Sequence, residues 1–562
     1  MNITRSKMKK TLACPAILGL LIAAFLPFSS GGICELCVCT HSENSKIINC
    51  LKNRELTNYT EIFDLLAFDE SELIKKLIIM EHEISSLPLD AFRGLRNLKS
   101  LDLSKNLIED FEADVFKDLK NLEELDFSQN HLGILGGDIF KNIPFLVTLN
   151  LSHNSIDDLN ETTAGQLGKL ESLDLSHNQI KSIGSEFMKS LSGLKFLNIS
   201  YNRIDSITSD VILHLKSLKE LQISNNLLTI IPVENFPESL TTLNVAGNSI
   251  KSLPLDFSLI SNLNVANNQI NSIESDERWL KKLRYLNFSG NFLTSFPNVI
   301  FDDLNSLDLS RNKFNVIPKY LSSENLPKLE ILVIDGNPIK DLIFVEKLQL
   351  RRLYVRHFDQ LEILEKNAFA KLQGIDGECV DLIISGNPRL HRIEEGALNG
   401  VSICTLDLSG NAFVQISPEL IKSNGKFVAK KGIDFQENPF NCECQLQWML
   451  NDFVPYVYDL NPKLLENLRC ETPTELSGTR MVHWYKWTRQ VFCDPSLSRM
   501  GKMVVDPAAV ISSGETTIRF ESSGGMLAVV AGALATLCVL IVVGIILARK
   551  FELRKRRTNR RF

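Results

Sequence analysis

The chain has 562 residues, 44% of them hydrophobic, with 61 basic and 67 acidic side chains and a net charge of −6 at neutral pH. The charge is unevenly placed: taking away a leader of +4 and a tail of +7 leaves the remainder at −17. A body this acidic is a poor general binder of nucleic acid or sulfated polysaccharide, so nucleic acid is not expected among its partners.

At the amino terminus, Lys9 and Lys10 precede an apolar run from Leu12 to Phe28, and the small residues Ser29 to Gly32 offer a cleavage site. That order reads as a secretory signal peptide over residues 1–32. Residues 33–73 then hold Cys34, Cys37, Cys39 and Cys50, a cluster ahead of an array otherwise poor in cysteine.

From Ile74 to Asn438 the phrase Leu-x-x-Leu-x-Leu-x-x-Asn recurs about 16 times, as in Leu98, Leu101, Leu103, Asn106 and Leu122, Leu125, Phe127, Asn130. The phrase-ending residues from His82 to Asn226 are 24 apart; the next four gaps are 22, 20, 23 and 21. A period of this length specifies a leucine-rich-repeat solenoid: an α/β horseshoe with a parallel concave sheet. The Leu-x-Leu centre has period two and reads as a short strand that can bury its leucines only against neighbouring turns. The closing Asn carries donors and acceptors for the backbone of its own and the adjacent turn. His82 and Phe358 stand in that place twice, and local irregularity is expected at both. Phe92, Phe116 and Phe140 recur in the return half, where core packing is a simpler account than a cofactor-binding aromatic box. Pro232, Pro254, Pro297 and Pro318 favour extended return segments over helical turns.

The place between the two strand leucines lies on the open face of the sheet. It holds Asp102, Asp126, Asn150, Asp174 and further polar residues as far as Asp308, then changes to Val333, Tyr354 and Ile383 in consecutive repeats. Ile331, Arg352 and Arg356 flank them, with Asp335 and Asp381 near enough for cross-strand pairing. Apolar, Tyr and Arg side chains on an exposed strand face are the composition of a partner-binding hot spot. The competing reading is that the 29-residue gap between Phe358 and Asn387 lets a loop fold over and bury the patch. Asn58, Asn150, Asn160, Asn198 and Asn287 each begin Asn-x-Ser/Thr. Three of these, Asn150, Asn198 and Asn287, lie on the concave strands, and glycans on them would shield the first two thirds of the face and leave the last third open.

Asp174, Ser176 and His177, with Ser152 and His153 one turn away, superficially form a nucleophile and base. The same Leu-Ser-x-Asn phrase recurs at Ser104, Ser128, Ser200 and Ser310, so repetition explains the serine. No metal site, cofactor motif or phosphate loop is read, and the chain is not expected to be an enzyme. Cys379 and Cys404 fall in neighbouring turns and are either two buried thiols or a staple.

After the last repeat come Cys442, Cys444, Cys470 and Cys493, within a second cap at 439–493. Zinc is the rival to disulfides at both clusters, but a signal peptide and a membrane span place them in an oxidising compartment. Residues 494–525, rich in Ser, Gly and Thr, read as a stalk. Met526 to Ala548 is 23 residues without a charge, long enough to cross a bilayer as one helix. The basic tail 549–562 would stay cytosolic, giving a single-pass type I protein at the plasma membrane with its repeats outside.

With Asn438-Pro439-Phe440-Asn441-Cys442-Glu443-Cys444, Trp448 and Cys470-Glu471-Thr472-Pro473, the chain resembles the extracellular leucine-rich-repeat transmembrane receptors and adhesion proteins with cysteine-rich flanks. That resemblance implies the pairs Cys442–Cys470, Cys444–Cys493, Cys34–Cys39 and Cys37–Cys50. It also implies an adhesion molecule or co-receptor, binding an extracellular protein ligand or the same protein on another cell. With 14 residues on the cytosolic side, any signal is expected to pass through a co-receptor or clustering. The alternative is an immune recognition or decoy receptor resembling a Toll-type ectodomain.

Overall fold

The computed structural model describes residues 33–494 apart from 36, 43–44, 51–61, 64–65, 67–71, 137, 160–164, 232–235, 254–259, 274–281 and 424. The signal peptide, the stalk beyond Asp494, the span, the basic tail, Pro232, Pro254, Asn58 and Asn160 lie outside the described residues. Among the described residues no helix is long and apolar enough to cross a membrane.

Each Leu-x-Leu centre forms a short strand, and these rungs join side by side in parallel. One row of apolar side chains runs in register from Leu77 through Leu101, Leu125 and Leu149 to Leu382, Leu406 and Ile433. Among the described residues the sheet has 18 strands; two of them, Val38–Ser42 and Ser45–Cys50, form an antiparallel hairpin of the amino-terminal cap. Ser45–Cys50 pairs with the first rung, Ile74–Ile79, so the cap covers what would otherwise be an open sheet edge. The row leucines are essentially inaccessible, Leu77, Leu221 and Leu307 at 0%. Burying each contributes roughly 1.5–3 kcal/mol, which one turn alone cannot obtain.

The asparagine ladder closes each turn. Asn106 shares the hydrogens of Nδ2 among the carbonyls of Ile79 (2.8 Å), Leu103 (2.9 Å) and Ser104 (3.2 Å). Its Oδ1 accepts from the backbone N–H groups of His82 (3.0 Å) and Ile84 (3.2 Å) of the previous turn. The arrangement recurs at Asn130, Asn178, Asn226, Asn291 and Asn438.

His82 departs from expectation. Its Nε2 lies 3.0 Å from the carbonyl of Cys50, and Cys50 is opposite Ile79 in the sheet, so the longer ring keeps the inter-turn contact that Asn106 makes. Phe358 offers no such atom and is buried at 0%; only its backbone N–H joins the ladder, donating to Asn387 Oδ1 at 2.9 Å. The irregularity there lies in the return path. Leu348–Leu350 pairs with Leu372–Gly374, and Ile363–Leu364 with Arg392–Ile393, forming small parallel sheets that periodicity alone did not foretell.

Among the described residues, short helical turns stand in the return halves at Ala113–Phe116, Ser185–Lys189 and Ser209–Leu213. The backbone around Pro297 and Pro318 is not helical, in line with the proline reading. Phe92, Phe116 and Phe140 are buried core, with the first two rings stacked 6.2 Å apart.

The caps hold the four disulfides the resemblance implied, Cys34–Cys39, Cys37–Cys50, Cys442–Cys470 and Cys444–Cys493. Cys379 and Cys404 are also bridged, tying the end of the long return segment to the next turn. In the second cap Trp448 Nε1 donates to the carbonyl of Ile416 at 3.1 Å, fastening it to the last repeats.

Candidate partner-binding face

Every three-residue rung has its leucine inward and its first and third residues outward. The polar third residue has a backbone role that spacing alone did not reveal. Asp102 Oδ1 accepts the N–H of Ser104 at 2.9 Å, two residues on, where the chain leaves the strand and loses its ladder partner. Asp126, Asn150, Asp174, Asn198, Asn264, Asn287, Asp308 and Asp407 repeat this at 2.7–3.1 Å. The polar ladder is therefore a series of strand-exit caps as well as a surface. The Asp/Asn-x-Ser spacing was its signal in the sequence.

Val333, Tyr354 and Ile383 lack an acceptor for that bond. They stand side by side in register, above the equally aligned Ile331, Arg352 and Asp381. Val333, Tyr354 and Ile383 are all half-buried, and among the described residues no loop closes over them. The long gap to Asn387 is spent in the paired strands of the return side.

Charges fix the patch. Arg356 grips Asp335 of the preceding turn, with Nη2 at 2.6 Å and Nε at 2.8 Å from Oδ2, while its backbone N–H donates to Oδ1 at 2.8 Å. Its guanidinium lies 4.7 Å from the centre of the Tyr354 ring. On the other side Arg352 donates to Asp381 and to the Tyr354 hydroxyl, each at 3.4 Å. Thr405, which the sequence did not single out, donates its hydroxyl to Asp381 from the next rung. Tyr354 is thus held between two arginines whose carboxylate partners belong to neighbouring turns. Both guanidiniums are shifted towards an even firmer positive charge, Arg352 chiefly by its hydrogen bond to Tyr354 and Arg356 chiefly by that to Asp335.

The rim is shaped by the residue before each closing Asn, which has positive φ throughout. At Gly336 (φ 63°) a Cβ would come within 3.1 Å of Arg311 Cγ, and at Gly386 (φ 65°) within 3.0 Å of the His357 ring. Glycine lets Arg311 and His357 lie across the next turn beside the patch.

Asn150, Asn198 and Asn287 sit on the same open face, on the rungs Thr148–Asn150, Phe196–Asn198 and Tyr285–Asn287. All lie amino-terminal to the patch.

Ser176 and His177 are not arranged as nucleophile and base. Ser176 is buried and its backbone N–H donates to Asp174, while the His177 ring stacks on His153 at 3.9 Å and on Tyr201 at 4.0 Å. Burial, and then the neighbouring His153, push His177 below the ordinary imidazole value of 6.5, against an upward pull from Asp174. The folded chain therefore takes up this proton less readily than the unfolded one. The associated stability is present above pH 6.5 and is lost as pH falls towards the folded value. Melting temperature is expected to drop between about pH 7 and pH 5, and His177→Gln to flatten that drop. Parallel pH profiles for the two proteins would remove the assignment.

Among the described residues, the close grouping of three metal-capable side chains is Cys34, Cys39 and His41, and its two sulfurs are bonded to each other.

The leucine rich repeat family matches residues 72–132, 128–180 and 168–228. No curated protein matches the chain in sequence. Among solved structures, it is similar to a leucine-rich-repeat protein of Leptospira interrogans at 27% identity, covering 68% of this chain and 87% of that one, with a TM-score of 0.48. The glycosylated Toll–Spatzle complex of Drosophila is similar at 19% identity, 79% and 75% coverage and a TM-score of 0.50. The TLR13–ssRNA13 complex follows at 19% identity, 73% and 70% coverage and 0.49. At 19% identity the likeness to the Toll–Spatzle complex speaks to the fold alone. The phrase, the in-register rungs and the asparagine ladder agree with the family match over residues 72–228, and the described array is a leucine-rich-repeat solenoid closed by disulfides at both ends.

Proposed function

We propose that this protein is a single-pass cell-surface glycoprotein that binds protein partners, as an adhesion molecule or co-receptor, through the sheet face around Tyr354. One observation carries the reading. Of three consecutive rungs that present Val333, Tyr354 and Ile383 outward, two give up the strand-exit cap kept by most others, and at Tyr354 the Arg356 N–H turns to Asp335 of the preceding turn instead. At Val333 and Ile383 each lost cap forgoes about 1 kcal/mol of net hydrogen bonding, and exposing apolar surface returns nothing to an isolated fold. A partner that covers the patch supplies the missing gain. Surface display rests on the leader, the charge-free stretch 526–548 and the bases after it. The reading gives Ser176 and His177 no catalytic role. A decoy or immune receptor of Toll-type build is the runner-up; the likeness to Toll adds the fold to it and no ligand.

The test uses cells expressing the full chain. Aggregation among themselves identifies self-adhesion, and capture of a soluble or opposing protein identifies ligand reception. Ile383→Asn creates an Asn-Ile-Ser acceptor with Ile384 and Ser385, and a glycan there should abolish either interaction. Ile383→Leu serves as the unglycosylated control and should bind normally. Binding that persists through a demonstrably occupied Ile383→Asn site would rule out this face.

A further inference from the structure

Two exposed aromatic side chains on the polar part of the sheet have no part in the solenoid core. The first residue of each rung faces outward with the third, and it is Ser100, Glu124, Thr148, Ser172 or Glu220 on typical rungs. On two it is aromatic: Phe196, half-exposed, and Tyr285, 38% exposed. Among the described residues neither ring stacks on another. Both stand two residues before an acceptor asparagine, in Phe196-Leu197-Asn198-Ile199-Ser200 and Tyr285-Leu286-Asn287-Phe288-Ser289. In a strand that spacing puts ring and amide on one face, roughly 6.6 Å apart along the chain, room for one sugar ring. At Tyr285 the closeness is direct, with Asn287 Nδ2 donating to the hydroxyl at 3.4 Å.

We propose that Asn198 and Asn287 carry N-glycans whose first N-acetylglucosamine lies flat on Phe196 and Tyr285; this rests on the reading of these asparagines as occupied acceptors. In the modification, Nδ2 bonds to the anomeric carbon of a lipid-diphosphate-linked oligosaccharide. The bond from that carbon to the diphosphate oxygen breaks, the lipid diphosphate leaves, and the amide loses one proton. One amide hydrogen remains. At Asn198 it is enough to keep the 3.1 Å bond to Asp174 Oδ2, so the cap and the sugar are compatible. The apolar C–H face of the sugar then meets the electron-rich face of the ring, leaving its hydroxyls in water. Asn150 is a built-in control, because Thr148 stands where the aromatic would be.

The experiment takes the full chain from glycosylating cells, first measuring occupancy at each site by mass spectrometry. A glycan-releasing amidase is then applied under native conditions, and conversion of each Asn to Asp is followed separately. Release at Asn198 and Asn287 is expected to be at least fivefold slower than at Asn150. Phe196→Ser should bring the first to the Asn150 rate and leave Asn287 slow, and Tyr285→Ser should do the reverse. Phe196→Leu keeps apolar bulk without a π face and should also release quickly; an accompanying rise at Asn150 would reveal unfolding and, with no separate effect at Asn198, would overturn the stacking. Equal rates at three occupied sites would overturn the proposal while leaving glycosylation standing. Empty Asn198 and Asn287 sites would overturn both.

Discussion

Val333→Asn is expected to weaken partner binding at least tenfold while leaving the unfolding transition at or above that of the unaltered protein. The two effects have opposite signs because the side chain serves the partner at the expense of the fold. At Asp308, one rung earlier, Oδ1 accepts the N–H of Ser310 at 2.9 Å. An amide at position 333 restores the equivalent acceptor towards Asp335, a gain of about 1 kcal/mol, and adds no charge beside that carboxylate. It also removes an exposed branched side chain at the centre of the patch, where tenfold corresponds to about 1.4 kcal/mol. Thermal melting and binding by the captured partner measure the two effects. Unchanged binding would sink the proposed site, and a lowered melting temperature would show that Val333 belongs to the fold. Pairing Tyr354→Ala with Arg356→Ala tests less cleanly. Removing Arg356 leaves the nearly buried Asp335 without its two side-chain donors, so lost binding could then follow from local unfolding.

The repeat, its rung positions and the closing asparagines were legible because each is a fixed offset within a period, and period survives translation into structure. The cap disulfides were legible through family resemblance, since four cysteines in a cluster admit several pairings. His82 differs from expectation because an imidazole nitrogen reaches the Cys50 carbonyl of the turn before, as the Asn106 amide reaches that of Ile79. The paired return strands at 348–393 were invisible for a related reason. They depend on which segments the long turn brings together, a contact between distant residues that no local pattern encodes. The patch residues were legible as a break in the polar column, but the meaning of the break was not. Only the bonds to Asp102 and its equivalents reveal what Val333 and Ile383 give up, and that Asp335 stands in at Tyr354. Thr405 carried no signal at all, being an ordinary strand residue until Asp381 is seen beside it.

Asn291→Ala is expected to destabilise the array by about 2–5 kcal/mol and to cut secretion sharply. Asn291 is 2% exposed, and one side chain satisfies groups from two turns of chain. Its Nδ2 serves the carbonyls of Val265 and Phe288, each at 3.0 Å, and its Oδ1 accepts from Ile270 N–H at 3.0 Å. Alanine strands the Ile270 N–H and the Val265 carbonyl in a buried setting. Leucine should not rescue the loss, because the missing quantity is hydrogen bonding and not volume. Since each repeat contacts chiefly its neighbours, the damage should be local. Hydrogen exchange should quicken across the turns from Val265 to Asn312 and stay slow near either cap. Phe358 shows what an apolar residue in this place requires: the turn after it is 29 residues long, and its return path is rebuilt from paired strands. The turns around Asn291, at 23 and 21 residues, have no such segment to spare, and uniform exchange across the array would show that the ladder is less local than its geometry implies.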